Sequence, residues 1–158
     1  MLSCLREIHE QGFTIIKKAL DDETISDALT GYKDICKYMN QERQDTLKSN
    51  GRNSRLVNAH LKSYNIAKLF NNSKLLEITD SFFGGRKTCV YTSLFFEEGT
   101  QQPLHRDAPV FCTLPENLFL GCWFALEDSF VENGSLMGIP GSHNLFEDEL
   151  ETRYKIGK

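Results

Sequence analysis

The residues best suited to chemistry in this chain of 158 amino acids are His105 and Asp107, which are separated by one residue. On a strand, both side chains would point to the same face, because side chains alternate with a period of two. An imidazole nitrogen and a carboxylate oxygen could then bind one metal ion. Two histidines and one carboxylate on one side of a metal, with the other positions open, form the site of non-haem Fe(II) oxygenases. The sequence therefore predicts two of the three ligands of such a site.

The third ligand is less evident from the sequence. His143 is the one other histidine that follows Asp107, so one hypothesis recruits it to the metal. We interpret His9 and His60, which precede the pair, as packing or surface histidines. A histidine two residues from an aspartate is also common on protein surfaces. The spacing alone therefore does not distinguish a metal site from an exposed pair.

The elements that would position the pair change in character along the chain. Helical patterns predict helices over Leu2–Glu10, over Glu23–Tyr38 with Asp21 or Asp22 as the cap, and through about Phe83 with Ser73 as the cap and Gly84 and Gly85 at the end. Runs of β-branched and aromatic residues predict strands over Phe13–Ile16, Thr88–Phe96, Leu118–Leu126 and Leu136–Ile139. The polar residues 40–55 predict a loop.

Helices that precede most of the strands indicate an α+β fold. We expect one domain, because no internal repeat or low-complexity linker divides the chain. Residues 1–87 form its mainly helical part, and residues 88–143 supply the core strands with the His-x-Asp motif. Residues 144–158 are a charged tail, which predicts a surface helix or a frayed end.

Net charge and cysteine usage limit the expected partners and the compartment. The formal net charge of -4 argues against a nucleic-acid partner, because phosphates are bound by basic surfaces. No apolar run is long enough to span a bilayer, so we expect no membrane partner either. Five cysteines without a CxxC pair favour free thiols in a reducing compartment. The sequence therefore predicts a cytoplasmic protein.

Further motifs follow the His-x-Asp pair in a recognisable order. They are Asp107-Ala108-Pro109, the Trp123 segment Gly121–Asp128, the turn Glu132–Leu136 and the loop Ile139–His143. With this order, the chain resembles the phytanoyl-CoA dioxygenase family of Fe(II)- and 2-oxoglutarate-dependent oxygenases. The resemblance is strongest from Gly99 to His143, and upstream Gly12–Ile16 resembles the opening strand of the family.

The resemblance implies a double-stranded β-helix, a cupin-like jelly-roll barrel with N-terminal helices packed on one side. It implies His105 and Asp107 as metal ligands, and Fe(II) and 2-oxoglutarate as cofactors. Trp123 matches a residue that lines the cosubstrate pocket, and Ser93 matches a position that contacts 2-oxoglutarate. The implied reaction is hydroxylation of an unactivated C–H bond of a small organic substrate. The structural alternatives are a core aromatic role for Trp123 and an ordinary strand hydroxyl for Ser93.

The family also has a second metal histidine on a later strand, followed by an arginine that binds the distal carboxylate of 2-oxoglutarate. No histidine follows His143 here, and Arg153, the one arginine after Asp107, lies in the charged tail. The resemblance therefore implies an incomplete barrel, in which His143 belongs to a structural turn. An open sheet edge would favour self-association. A catalytically inactive interaction module is accordingly the alternative to an oxygenase.

Overall fold

The helices carry most of the regular structure. The structure is a computed structural model, and it describes residues 1–39, 43, 55–97, 102–107, 110–116 and 118–154. Within these residues the chain forms helices α1 (Leu2–Gln11), α2 (Asp22–Tyr38), α3 (Tyr64–Phe70), α4 (Ser73–Phe82) and α5 (Glu147–Tyr154), strands β1 (Arg55–Val57) and β2 (Leu94–Phe96), and 3-10 turns at Ala59–Leu61, Val131–Asn133 and Ser142–Asn144. The predicted loop over residues 40–55 lies almost wholly outside the described residues.

Local capping explains where the helices begin. Of the two predicted cap candidates, Asp21 is the one that caps α2, and its side chain accepts the N–H of Thr24 at 2.7 Å. The predicted cap of α4 is wrong by one residue, because Ser73 is the first helical residue and Asn72 precedes it. The Asn72 side chain accepts the N–H groups of the first turn at 3.1 and 3.2 Å. Asparagine and serine are similarly good caps, so composition alone does not choose between them.

The core lies where α2 packs against α3, which the sequence analysis did not predict. Ala28 of α2 is fully buried, and Ile66 and Leu69 of α3 are 2% and 3% exposed. Gly31 permits this close approach, because a Cβ there would collide with the hydroxyl of Ser63 and come within 3.3 Å of Ile66. Leu56 of β1 joins the same cluster. The segment that leads from β1 into α3 is therefore anchored on α2.

The sheet is smaller than the sequence predicts. β1 and β2 pair antiparallel, with Leu56 opposite Phe95, and they form the one sheet found among the described residues. The predicted strands Phe13–Ile16, Leu118–Leu126 and Leu136–Ile139 are irregular, and only the end of Thr88–Phe96 is a strand. Strands exist by hydrogen bonding to a partner, and these segments have none among the described residues. The described residues thus form helices and a two-stranded sheet that does not close into a barrel.

The tail differs from a purely solvated segment. Residues 147–154 form α5, in agreement with the predicted surface helix, but Leu150 is only 2% exposed. The five cysteines, all of which lie in described segments, form no disulfide, as predicted. Over the part of the chain that the structure describes, none of the helices combines the length and the apolar character needed to cross a bilayer.

Candidate functional site

The structure brings His105 and Asp107 together. Nε2 of His105 lies 3.3 Å from Oδ1 of Asp107, and the two side chains are 50% and 58% exposed. The backbone from Leu104 to Asp107 is irregular, so the prediction that the pair lies on a strand is wrong. The two side chains nevertheless lie on one side of the segment. Their donor atoms therefore face the same volume of solvent.

The imidazole of His105 is held in a defined orientation. Its Nδ1 lies 2.8 Å from the carbonyl oxygen of Pro103. A carbonyl can only accept a hydrogen bond, so Nδ1 carries the proton in this contact. In the neutral ring, Nε2 then presents its lone pair on the side of Asp107, where a cation would be shared by the two donors, whereas in the imidazolium Nε2–H donates to the carboxylate. A histidine that donates its second ring N–H to a backbone carbonyl is the usual arrangement at metal sites, because the bond fixes both tautomer and ring orientation.

Two hydrogen bonds hold the main chain of Asp107. Its carbonyl oxygen accepts the N–H groups of Val110 and Phe111, both at 2.9 Å. These bonds use only a main-chain atom of Asp107, so the carboxylate remains available to a ligand. His105 and Asp107 are thus both held by hydrogen bonds to nearby main-chain groups, and these bonds do not use Nε2 of His105 or the carboxylate of Asp107.

This donor pair fits part of a metal site. Two donors on adjacent corners of an octahedron, with bond lengths of about 2.1 Å, are about 3 Å apart. The observed 3.3 Å between the nitrogen of His105 and the oxygen of Asp107 is close to that spacing. Among the described residues, however, no three histidine, cysteine, aspartate or glutamate side chains gather in one place. The pair therefore supplies two ligands, and the described part of the chain does not complete the set.

His143 is directed elsewhere. Its Nε2 lies 3.1 Å from the carbonyl oxygen of His9, at the end of α1. Its Nδ1 faces Gly12, where the Cβ of any other residue would lie 2.6 Å from that nitrogen. Both ring nitrogens thus face α1. The hypothesis that recruits His143 to the metal finds no support in this geometry, and a structural role in the turn agrees with it.

A small cavity of about 110 Å³ adjoins His105. It is surrounded by the His-x-Asp loop (residues 102–107), the stretch before the 3-10 turn Ser142–Asn144, and α5. The lining residues are Leu104, His105, Arg106, Met137, Gly138, Ile139, Ser142 and Leu150. Its wall combines the apolar side chains of Leu104, Ile139 and Leu150 with polar groups, among them the imidazole and the guanidinium.

Ser93 lies next to a histidine that the sequence analysis assigned to packing or the surface. Ser93 is 7% exposed, and its Oγ is 2.6 Å from Nδ1 of His60. Asn58 accepts the N–H of Ser93 at 3.1 Å and donates its own main-chain N–H to the Ser93 carbonyl at 2.7 Å. The His60 ring also packs edge-on against Phe70. No local sequence signal reveals this cluster, because residue 93 is far from residues 58 and 60 along the chain.

Trp123 lies at the surface of the described structure. Its exposed fraction is 53%, whereas Phe124 packs edge-on against Phe70 with ring centroids 5.4 Å apart. Trp123 has no stacking or hydrogen-bonding partner among the described residues. The structural alternative, a core aromatic, therefore does not describe Trp123.

Comparison with known proteins identifies relatives. The family profile described as Phytanoyl-CoA dioxygenase (PhyH) matches residues 8–157. The Danio rerio protein "Phytanoyl-CoA dioxygenase domain-containing protein 1" is 52% identical over 40 residues, which cover 25% of this chain and 14% of that protein. Its Bos taurus counterpart is 54% identical over 39 residues, which cover 25% of this chain and 13% of the relative.

A more distant relative shows the same pattern. The Dictyostelium discoideum "Phytanoyl-CoA dioxygenase domain-containing protein 1 homolog" is 44% identical over 45 residues, which cover 28% of this chain and 16% of that protein. The aligned segments thus span only a small part of each curated relative. No solved structure matches the chain.

Proposed function

Since this chain belongs to the phytanoyl-CoA dioxygenase family, we propose that it acts in Fe(II)- and 2-oxoglutarate-dependent hydroxylation of a small organic substrate. His105 and Asp107 are two of the metal ligands in this proposal. The observation that carries it is the pairing of an oriented imidazole Nε2 with a carboxylate oxygen 3.3 Å away, both open to solvent. A neutral imidazole and an ionised carboxylate are the mixed nitrogen and oxygen donors of non-haem Fe(II) sites.

The metal and cosubstrate would supply the oxidising power, and the protein would supply binding and orientation. His105 keeps its proton on Nδ1, toward Pro103, and offers Nε2 to the metal. Asp107 contributes the negative charge that favours a divalent cation. The adjoining cavity places apolar side chains such as Leu104 and Ile139 beside His105, against which a small substrate group can rest.

Ser93 and Trp123 are assigned to the cosubstrate on the family resemblance. A hydroxyl can accept one hydrogen bond and donate another. In the tautomer in which His60 donates from Nδ1, the hydroxyl proton of Ser93 is directed away from His60 and can be given to a carboxylate. The exposed face of Trp123 offers an apolar surface to the carbon chain of 2-oxoglutarate.

The direct test measures succinate formed from 2-oxoglutarate by the purified chain with Fe(II) and oxygen, together with the dissociation constant of Mn(II) as an oxygen-stable probe. His105→Ala and Asp107→Ala should each weaken Mn(II) binding by more than the roughly 10–100-fold typical of a supporting residue. Asp128→Ala removes an exposed carboxylate outside the pair and is the matched control. Equal Mn(II) affinity in the wild type and both ligand variants would contradict the proposal.

An interaction module is the second candidate, and one observation favours it. Large apolar side chains are exposed on the irregular segments that the sequence predicts as strands, including Trp123 at 53%, Leu136 at 67% and Met137 at 76%. Such a surface is typical of an interface. Under this alternative, the chain would self-associate or bind another protein without forming succinate. Sedimentation velocity at several concentrations, measured beside the succinate assay, separates the two candidates.

A further inference from the structure

We propose that Arg106 is a positioning residue for the metal-binding pair, which it holds in place by fastening the His-x-Asp loop to the 3-10 turn Ser142–Asn144. The inference rests on the proposed role of His105 and Asp107 as ligands. Arg106 stands between these two residues in the sequence, yet it takes no part in the pair itself.

The contacts of Arg106 are charge-assisted and well formed. Its Nη2 donates to the carbonyl oxygens of Ser142 and Leu145, at 2.7 and 2.6 Å. One amino group thus places its two hydrogens on the carbonyls of the first residue of the turn and of the residue that follows the turn. Hydrogen bonds from an ionised donor are shorter and stronger than those between neutral groups. Among the described residues, these two bonds join the segment 102–107 to a distant part of the chain.

The turn that receives Arg106 is itself fixed to α1. Gly141 donates its N–H to the carbonyl of Gln11 at 2.8 Å, and Nε2 of His143 lies 3.1 Å from the carbonyl of His9. The last carbonyls of a helix lack partners within the helix, so the turn satisfies groups that α1 leaves open. Gly12, with a φ of 88°, leaves room for the His143 ring. Arg106 therefore binds a turn that is itself held by hydrogen bonds to α1, rather than a loose loop.

The orientation of the Arg106 side chain sets the orientation of the His105 and Asp107 side chains. Its side chain is half-buried and lies against the turn, whereas His105 and Asp107 are exposed on either side of it in the sequence. The segment has no helical or strand hydrogen bonds to set these directions. Without the guanidinium contacts, the loop can rotate, and the two donor atoms no longer share one volume. Supporting contacts of this kind act on metal affinity without touching the metal.

The experiment compares the wild type with Arg106→Ala, Arg106→Lys and Arg86→Ala. The lysine variant keeps a cationic donor that can reach at least one carbonyl, and Arg86 is an exposed arginine outside the site. Mn(II) affinity should fall about 10–100-fold in Arg106→Ala, recover in part in Arg106→Lys, and stay at the wild-type value in Arg86→Ala. Equal affinity in all four proteins would overturn the inference.

A second readout separates this inference from the proposed function. In the metal-free protein, the ring ¹⁵N chemical shifts of His105 report its tautomer, which the contact with Pro103 fixes. Arg106→Ala should shift these signals toward a mixture of tautomers, and Arg106→Lys should restore them. If the wild type binds no Mn(II) but the tautomer shift occurs, only the metal role fails. Unchanged His105 signals in a folded Arg106→Ala protein would refute the positioning role of Arg106.

Discussion

Asn58 is the residue through which the structure most directly ties the strand β1 to the Ser93 region, so its replacement has a calculable effect. Its Oδ1 accepts both the hydroxyl of Thr92, at 2.9 Å, and the N–H of Ser93, at 3.1 Å. Its backbone is left-handed, with a φ of 55°. Asparagine tolerates this conformation better than most residues, and glycine adopts it freely.

Three variants of Asn58 separate the side-chain contribution from the backbone contribution. Asn58→Ala loses two hydrogen bonds, worth about 0.5–1.5 kcal/mol each, and places alanine in a left-handed conformation that costs roughly 1–2 kcal/mol. We expect a total loss of about 2–5 kcal/mol in the free energy of unfolding. Asn58→Gly loses the hydrogen bonds alone and should cost about 1–3 kcal/mol. Asn58→Asp keeps the acceptor oxygen and should be the mildest change.

Urea unfolding monitored by the fluorescence of Trp123, the one tryptophan of the chain, measures these differences. The expected order of destabilisation is alanine, then glycine, then aspartate. If Ser93 contacts 2-oxoglutarate, cosubstrate affinity should fall in the same order. An Asn58→Gly protein as unstable as Asn58→Ala would refute the backbone part of the reasoning. An Asn58→Ala protein as stable as the wild type would refute all of it.

Three further predictions concern charge, packing and the turn. Hydrogen bonds from Lys87 and then Thr88 lower the pKa of Asp80 from 3.8 to about 2. The stability that this carboxylate contributes is therefore present above about pH 4 and is lost as the pH falls toward 2. Asp80→Asn should flatten that part of a pH profile of the thermal unfolding temperature. Gly31→Ala should lower the free energy of unfolding by about 1–3 kcal/mol because of overpacking, although alanine favours helices. Adding Ser63→Gly should relieve this loss. Urea unfolding measures both effects, and a Gly31→Ala protein more stable than the wild type would contradict the prediction. His143→Ala should lower Mn(II) affinity far less than His105→Ala does, because the bond from Gly141 to Gln11 still fastens the turn to α1; a loss as large as that of His105→Ala would revive its recruitment as a ligand.

The parts of the fold that depend on neighbouring residues could be predicted from the sequence. The cap at Asp21 and the end of α1 at Gly12 are local events, and both α1 and α2 agree with the predicted ranges within one residue. The spacing of two residues also makes the proximity of His105 and Asp107 possible, and it occurs although the strand prediction there is wrong. Side chains one residue apart can share a side in more than one backbone conformation.

The parts that depend on distant partners could not be predicted. The apolar and aromatic run Leu118–Leu126 fits a strand, but a strand needs a hydrogen-bonding neighbour, and the described residues provide none. Likewise, the residues near His60 do not predict its contact with Ser93, and the residues near Arg106 do not predict its hydrogen bond to the carbonyl of Leu145. These contacts join residues that are 33 and 39 positions apart, and a single sequence carries no direct signal for them.

The central claim is that His105 and Asp107 bind ferrous iron and leave positions for 2-oxoglutarate. Its most direct test is an anaerobic titration of Fe(II) into the purified chain with 2-oxoglutarate, monitored through the visible charge-transfer absorption of a chelated 2-oxo acid. We expect an absorption that saturates at one iron per chain, is lost in His105→Ala and Asp107→Ala, and survives in His143→Ala. No absorption in the wild type, or the same absorption in all four proteins, would contradict iron binding by His105 and Asp107.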